Sequence, residues 1–151
     1  MLTQAVQQYF LLVQALTIYA DLKMKSIDEI MNAEYSPATV IIANQRCSAV
    51  YLTAASLVEA NTKTQHLSEE YQNKAKFMGA IAMFWSENNK GIKPISPEQN
   101  SIQISNMYDA YLDDGNKAKA KTGNFTDGIL KKDMPSCNSL YETLSKELSK
   151  N

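Results

Sequence analysis

Arginine is almost absent from this chain: Arg46 stands alone beside fourteen lysines, and there is one histidine, His66, and one tryptophan, Trp85. A nucleic-acid binder is expected to carry an arginine-rich surface, so no nucleic-acid partner is expected here. A single imidazole cannot supply the two Glu-x-x-His elements of a di-iron bundle. His66 with Glu69 and Glu70 reads instead as a helix start whose acids favour the positive end of the dipole. Glycine is also scarce, five in 151 residues, and none belongs to a phosphate loop or a nucleophile elbow. Asp109, Asp113 and Asp114 before Gly115 suggest a calcium loop only at a glance. With Gly115 at the sixth loop position, Ala110, Leu112 and Lys121 fall where the first, third and twelfth ligands belong. The expectation is no catalytic residue, no metal, no cofactor and no enzyme.

Charge is missing altogether from residues 1–20. A secretory signal would open on lysine or arginine and end at a small-x-small cleavage site, whereas this stretch opens Leu2-Thr3-Gln4 and offers Ile18 and Ala20 at its best cut. Gln4, Gln7, Gln8 and Gln14 would each need a partner in hydrocarbon, which argues against a membrane span. A core helix is expected.

What is present is ordinary for a globular protein: 44% hydrophobic residues, 21% charged and a net charge of −1. That composition excludes a disordered chain. The length suits one domain over residues 1–151, able to bury roughly 70% of its unfolded surface. Charge is biased weakly, with seven lysines against four acids in residues 115–151. Lys117, Lys119, Lys121, Lys131 and Lys132 beside glycine and asparagine read as a solvated strip.

Apolar spacing resolves the chain into helices. Leu2, Ala5, Val6, Tyr9, Val13, Leu16 and Ala20 predict a first helix to about Lys23. Ser26-Ile27-Asp28-Glu29 is a capping box that opens a short helix. Ser36-Pro37 starts a long one to about Ala60, with Val40, Ala43, Cys47, Val50, Tyr51, Ala54 and Val58 inward. Another runs from about Leu67 to Asn88 on Tyr71, Ala75, Met78, Ala82 and Trp85. Gly91 and Pro94 interrupt the chain, and Ser96-Pro97-Glu98-Gln99 restarts it with Ile102, Ser105, Tyr108 and Leu112 inward and Gly115 a further candidate for that face. Gly115, Gly123 and Gly128 mark a loose stretch, and Asp133 with Pro135 starts the last helix on Cys137, Leu140, Tyr141, Leu144 and Leu148. The predicted fold is all-α, a helical bundle of four long helices and one or two short ones.

Cys47 and Cys137 both fall on inward stripes, 90 positions apart. They either bridge two neighbouring helices or sit unpaired as small apolar residues. A bridge closing so long a loop would contribute about 4 kcal/mol in the chain-entropy account. Tyr51, Tyr71, Tyr108 and Tyr141 with Met78 and Trp85 are candidates either for plain core or for the walls of a pocket for a small, partly apolar ligand.

Arg46-Cys47 with Tyr51 on a mid-chain helix, and Asp133-x-x-x-Cys137-x-x-Leu140 near the end, resemble small exported helical proteins of proteobacteria that carry two cysteines and have no assigned activity. The resemblance implies an oxidised Cys47–Cys137 bridge and an extracytoplasmic location, periplasmic or secreted, with the cytoplasm as the alternative. It brings no catalytic residue. The expected role is binding of a protein partner or self-association, with a small-ligand carrier as the competing class.

Overall fold

A computed structural model describes residues 25–33 and 35–150; the helix expected over residues 2–23 lies outside them. The described residues are all-α. Five helices follow one another: α1 (Ile27–Ala33), α2 (Pro37–Glu59), α3 (Ser68–Asn88), α4 (Pro97–Thr122) and α5 (Ile129–Leu148). Short 3-10 turns at Gln65–Leu67 and Phe125–Asp127 precede α3 and α5.

Local sequence sets most of the starts. The Ser26 backbone N–H donates to Glu29 and the Glu29 N–H to the Ser26 hydroxyl, closing the first capping box. Hydrogen bonds to its carboxyl from Ser26, the backbone one foremost and the side-chain one second, hold Glu29 below its ordinary range. At α2 the Ser36 side chain accepts from the Thr39 N–H at 3.2 Å while Thr39 Oγ1 accepts from the Ser36 N–H at 2.9 Å. Ser96 and Gln99 repeat the arrangement at α4, both bonds at 3.1 Å. Each box satisfies backbone donors that a helix start leaves free.

Helix α2 is the axis of the assembly. It packs against α1, α3, α4 and α5, and residues on nearly every side of it are buried, from Val40 and Ile41 to Ala54 and Ala55. The core runs from its Ala43, Cys47, Val50 and Tyr51 to Ala75 and Met78 on α3, Ile104, Met107 and Tyr111 on α4, and Leu130 and Cys137 on α5.

Three expectations need correction. The inward face of α4 is Asn100, Ile104, Met107, Tyr111 and Gly115, while Ile102 is 53% exposed. The reading was rotated because Ile102 and Ile104 are both isoleucine, and buried Asn100 accepts from the Gln45 amide at 2.9 Å, a partner invisible to hydropathy. Gly115 does not loosen the chain either. It lies inside α4, where a Cβ would sit 2.2 Å from the Phe125 ring, so its bareness lets the following turn close onto the helix. The actual end is Gly123, left-handed at φ +81°, as helix C-termini favour.

The last helix starts at Ile129, four residues before Asp133, and Pro135 lies within it. Its cap comes from another helix: Asp114 Oδ2 on α4 accepts from the Ile129 N–H at 2.6 Å. The approach needs a bare residue at 128, since a Cβ on Gly128 would stand 2.0 Å from that oxygen.

Candidate functional site

Three arrangements of side chains stand out: a buried link between α2 and α5, a tyrosine cluster, and an open groove between α3 and α4.

The link is built from the two patches quoted above. Cys47 on α2 and Cys137 on α5 lie at disulfide distance, 2.14 Å between sulfurs and 5.2 Å between Cα atoms. The residue before Cys47 and the residue one turn before Cys137 form an ion pair: Arg46 donates to Asp133 Oδ2, at 1% and 0% side-chain exposure. The Tyr111 hydroxyl on α4 also donates to Asp133 Oδ2 and accepts from Arg46 Nε and Nη2 at 3.3 Å each. Arg46 Nη1 donates to the Lys25 carbonyl at 3.2 Å, and Asp133 Oδ1 accepts from the Ile27 N–H at 2.9 Å. Four segments therefore meet on one charge pair whose hydrogen-bonding groups are partnered, which is the condition for burying ions without large loss. Burial pushes the ionisation of Tyr111 well above the ordinary phenol range; Arg46 works against that shift and Asp133 adds to it. Closed to solvent, these groups hold helices together.

The tyrosine cluster is buried at Tyr51 and half-buried at Tyr71 and Tyr141. Tyr51 stacks on Tyr71 at 6.2 Å between centroids and meets Tyr141 edge-on at 6.1 Å, with Phe77 against Tyr141 at 5.2 Å. The Tyr51 hydroxyl donates to Asn138 at 3.0 Å. Burial, then the nearby Tyr141 and Tyr71, push its ionisation upward. Lys74 Nζ sits 5.4–5.8 Å from the centroids of Tyr51, Tyr71 and Tyr141 and 2.8 Å from Glu70. Cation–π attraction and ring packing account for this group as an interior joint.

The groove lies along α2, with α3 and α4 as its walls, and has a volume of about 650 Å³. Small side chains make it. Ser48 and Ala55 on α2, and Ala75 and Gly79 on α3, let these helices approach, and Ser101 and Ser105 leave the α4 wall low. A Cβ on Gly79 would stand 3.3 Å from Ile104 Cδ1. Leu52, Ala55, Ile104 and Met83 supply apolar surface; Gln72, Ser101 and Ser105 supply polar groups; Glu59 and Lys76 are the charges. Internal bonds fix the floor. Ser48 donates to the Ala75 carbonyl at 2.8 Å, Asn100 to the Gly79 carbonyl at 3.0 Å, and the hydroxyls of Ser56 and Tyr108 meet at 2.9 Å.

No protein-family model, curated protein or solved structure matches the chain. The site must therefore be read from its own chemistry.

Of the six residues singled out for a ligand pocket, Tyr108 lies on the groove wall. Tyr51, Tyr71 and Tyr141 form the ring-packed cluster, Met78 is fully buried in the core and Trp85 is half-buried on α3. The sequence reading missed the groove and the charge pair alike. Small residues at four-residue spacing, Ala75 with Gly79 and Ser101 with Ser105, were its available signal. Arg46 and Asp133 on otherwise inward faces were the signal for the pair. His66, Glu69 and Glu70 are exposed, and among the described residues no group of three or more His, Cys, Asp or Glu side chains could hold a metal ion. No described helix is long and apolar enough to cross a membrane.

Proposed function

We propose that the protein is a non-enzymatic binding module, cross-linked by Cys47 and Cys137, that takes a polypeptide segment into the groove between α3 and α4. The groove itself carries this reading: it is open to solvent, with apolar surface from Leu52, Ala55, Ile104 and Met83 beside the amide and hydroxyls of Gln72, Ser101 and Ser105. That is the form in which an amphipathic helix is recognised, one apolar stripe down and the polar remainder to solvent. The tyrosine-lined interior supports a carrier poorly, because its rings are packed on one another and plugged by Lys74.

The disulfide-distance pair supports an oxidising, extracytoplasmic compartment, periplasmic or secreted, where such links persist. The likeness to small exported two-cysteine proteins points the same way. A second reading rests on the groove volume, about 650 Å³, which falls in the range of small-molecule sites.

A photoreactive benzophenone amino acid at Ser105, activated in the native cell, tests the proposal. A polypeptide adduct of defined mass, lost when Ala80→Trp narrows the groove, supports it. Absence of any protein adduct, with a stoichiometric small molecule retained in native mass spectrometry, contradicts it and favours the carrier.

A further inference from the structure

Two charges of opposite sign line the groove, and they stand well apart along it. We infer that its occupant is a stretch of amphipathic helix from another polypeptide, with a basic residue seated by Glu59 and an acidic one, about eleven residues away, seated by Lys76. This names the partner's chemistry and rests on the reading of the groove as a polypeptide-binding surface.

The three helices set its length. Lining residues run from Ser48 to Glu59 on α2, from Gln72 to Met83 on α3 and from Pro97 to Tyr108 on α4, and each of these stretches rises about 17 Å. A straight occupant of about three helical turns matches all of them. Internal bonds give the levels. Ser48 donates to the Ala75 carbonyl at 2.8 Å, which puts Lys76 near the Ser48 end of the floor, and the hydroxyls of Ser56 and Tyr108 meet at 2.9 Å one turn short of Glu59. Lys76 and Glu59 are therefore separated by about 17 Å along the groove.

Both side chains are exposed. Among the described residues neither has an ion-pair partner, whereas Lys74 is held by Glu70 at 2.8 Å and Lys117 by Asp113 at 2.6 Å. A docked segment strips part of the water from each charge. An uncharged or like-charged neighbour leaves that loss uncompensated, while an opposite charge offsets it, so the two residues select the sign and the register of what lies between them. Apolar surface also continues past the groove on the same two wall helices. Phe84, next to Met83, is 59% exposed, and Ile102, next to Ser101, is 53% exposed. A small ligand lodged in the groove leaves that surface bare, whereas a helix, about 10 Å wide with its side chains, adds cover beyond the rims.

The test maps the adduct that the full chain with benzophenone at Ser105 forms in the native cell, then measures the mapped segment, as a synthetic peptide, against the purified chain by fluorescence anisotropy. The expected segment has an apolar stripe flanked by a basic and an acidic residue about eleven positions apart. Glu59→Lys should weaken its binding roughly three- to tenfold, and a peptide with its basic residue changed to glutamate should recover the loss. Lys76→Glu should behave in the mirror sense. Circular dichroism of both variants should match the unaltered protein, since both positions are exposed. A mapped segment lacking the two charges, a segment from a second copy of the chain, or unchanged affinity in both variants overturns the inference. Each of those results leaves the groove a polypeptide site, whereas the absence of any polypeptide adduct removes both readings.

Discussion

Arg46 on α2 and Asp133 on α5 form an ion pair at 1% and 0% exposure, and the same two helices are joined at Cys47 and Cys137. Sequence geometry makes the two links one structure: Arg46 is the neighbour of Cys47, and Asp133 lies one helical turn before Cys137. Whatever holds the sulfurs at bonding distance also holds the charges in register, and the reverse. The joint fixes α5 against α2, while the groove opens toward α3 and α4.

Arg46→Met is expected to cost about 3–5 kcal/mol in urea unfolding, because it leaves the Asp133 carboxylate buried without its cation. Arg46→Met with Asp133→Leu should cost less than the two single substitutions added together, since no lone charge then remains. An Arg46→Met cost below about 1 kcal/mol, the level of a surface pair, would show that the pair is not buried in solution.

Gly115→Ala should destabilise the protein. In an exposed helix the same change gains up to about 1 kcal/mol, so the sign is diagnostic. Here the added methyl meets the Phe125 ring, and overpacking of this kind costs about 1–3 kcal/mol. Phe125→Ala in the same chain should remove the clash and restore part of the loss. Thermal melts of the three variants would check this, and a raised melting temperature for Gly115→Ala would contradict the packing of the Phe125 turn on α4.

Tyr51 and Tyr111 should resist ionisation in the folded protein. Burial pushes both phenols above the ordinary value, so between about pH 10 and their folded values the unfolded chain releases protons that the native chain keeps. Native protein then binds more protons than unfolded protein, and stability falls as pH rises past about 10. Below that pH the two groups add no slope. Phenolate absorbance should show Tyr51 and Tyr111 ionising only with unfolding. Ionisation of both while the circular dichroism stays native would contradict their burial.

Legibility in the sequence followed the range of the interaction. Ser26 with Glu29, Ser36 with Pro37, and Ser96 with Gln99 act across three residues or fewer, and these helix starts were readable. The stripe of α2 was readable too, because Val40, Ala43, Cys47, Val50, Tyr51 and Ala54 sit on the most enclosed helix and all are buried. Failures came where a partner lies far along the chain. Asp133 looked like a helix start beside Pro135, but its position is set by Arg46, 87 residues earlier, and the cap of α5 comes from Asp114. The α4 face was misjudged because Asn100 and Gln45 bury their amides against each other, and hydropathy assigns both to solvent. The groove is made by small side chains, and what such residues leave open depends on which helices they face.

Disulfide removal gives a direct measure of what the link contributes. Cys47→Ala with Cys137→Ala frees a loop closed over 90 positions, worth about 4 kcal/mol in the chain-entropy account. For a chain of this size that corresponds to a melting temperature lower by on the order of 10 °C. A variant that melts with the wild type would mean that Arg46, Asp133 and Tyr111 alone hold the joint.

The most direct measurement is a count of free thiols in the unfolded native protein, by alkylation and intact mass with and without prior reduction. The account predicts no alkylation before reduction, two alkylated cysteines after it, and an oxidised mass that of a single chain lacking two hydrogens. Two thiols alkylated without reductant, or a mass showing two chains joined, would contradict the intramolecular Cys47–Cys137 link and with it the oxidising location proposed for the protein.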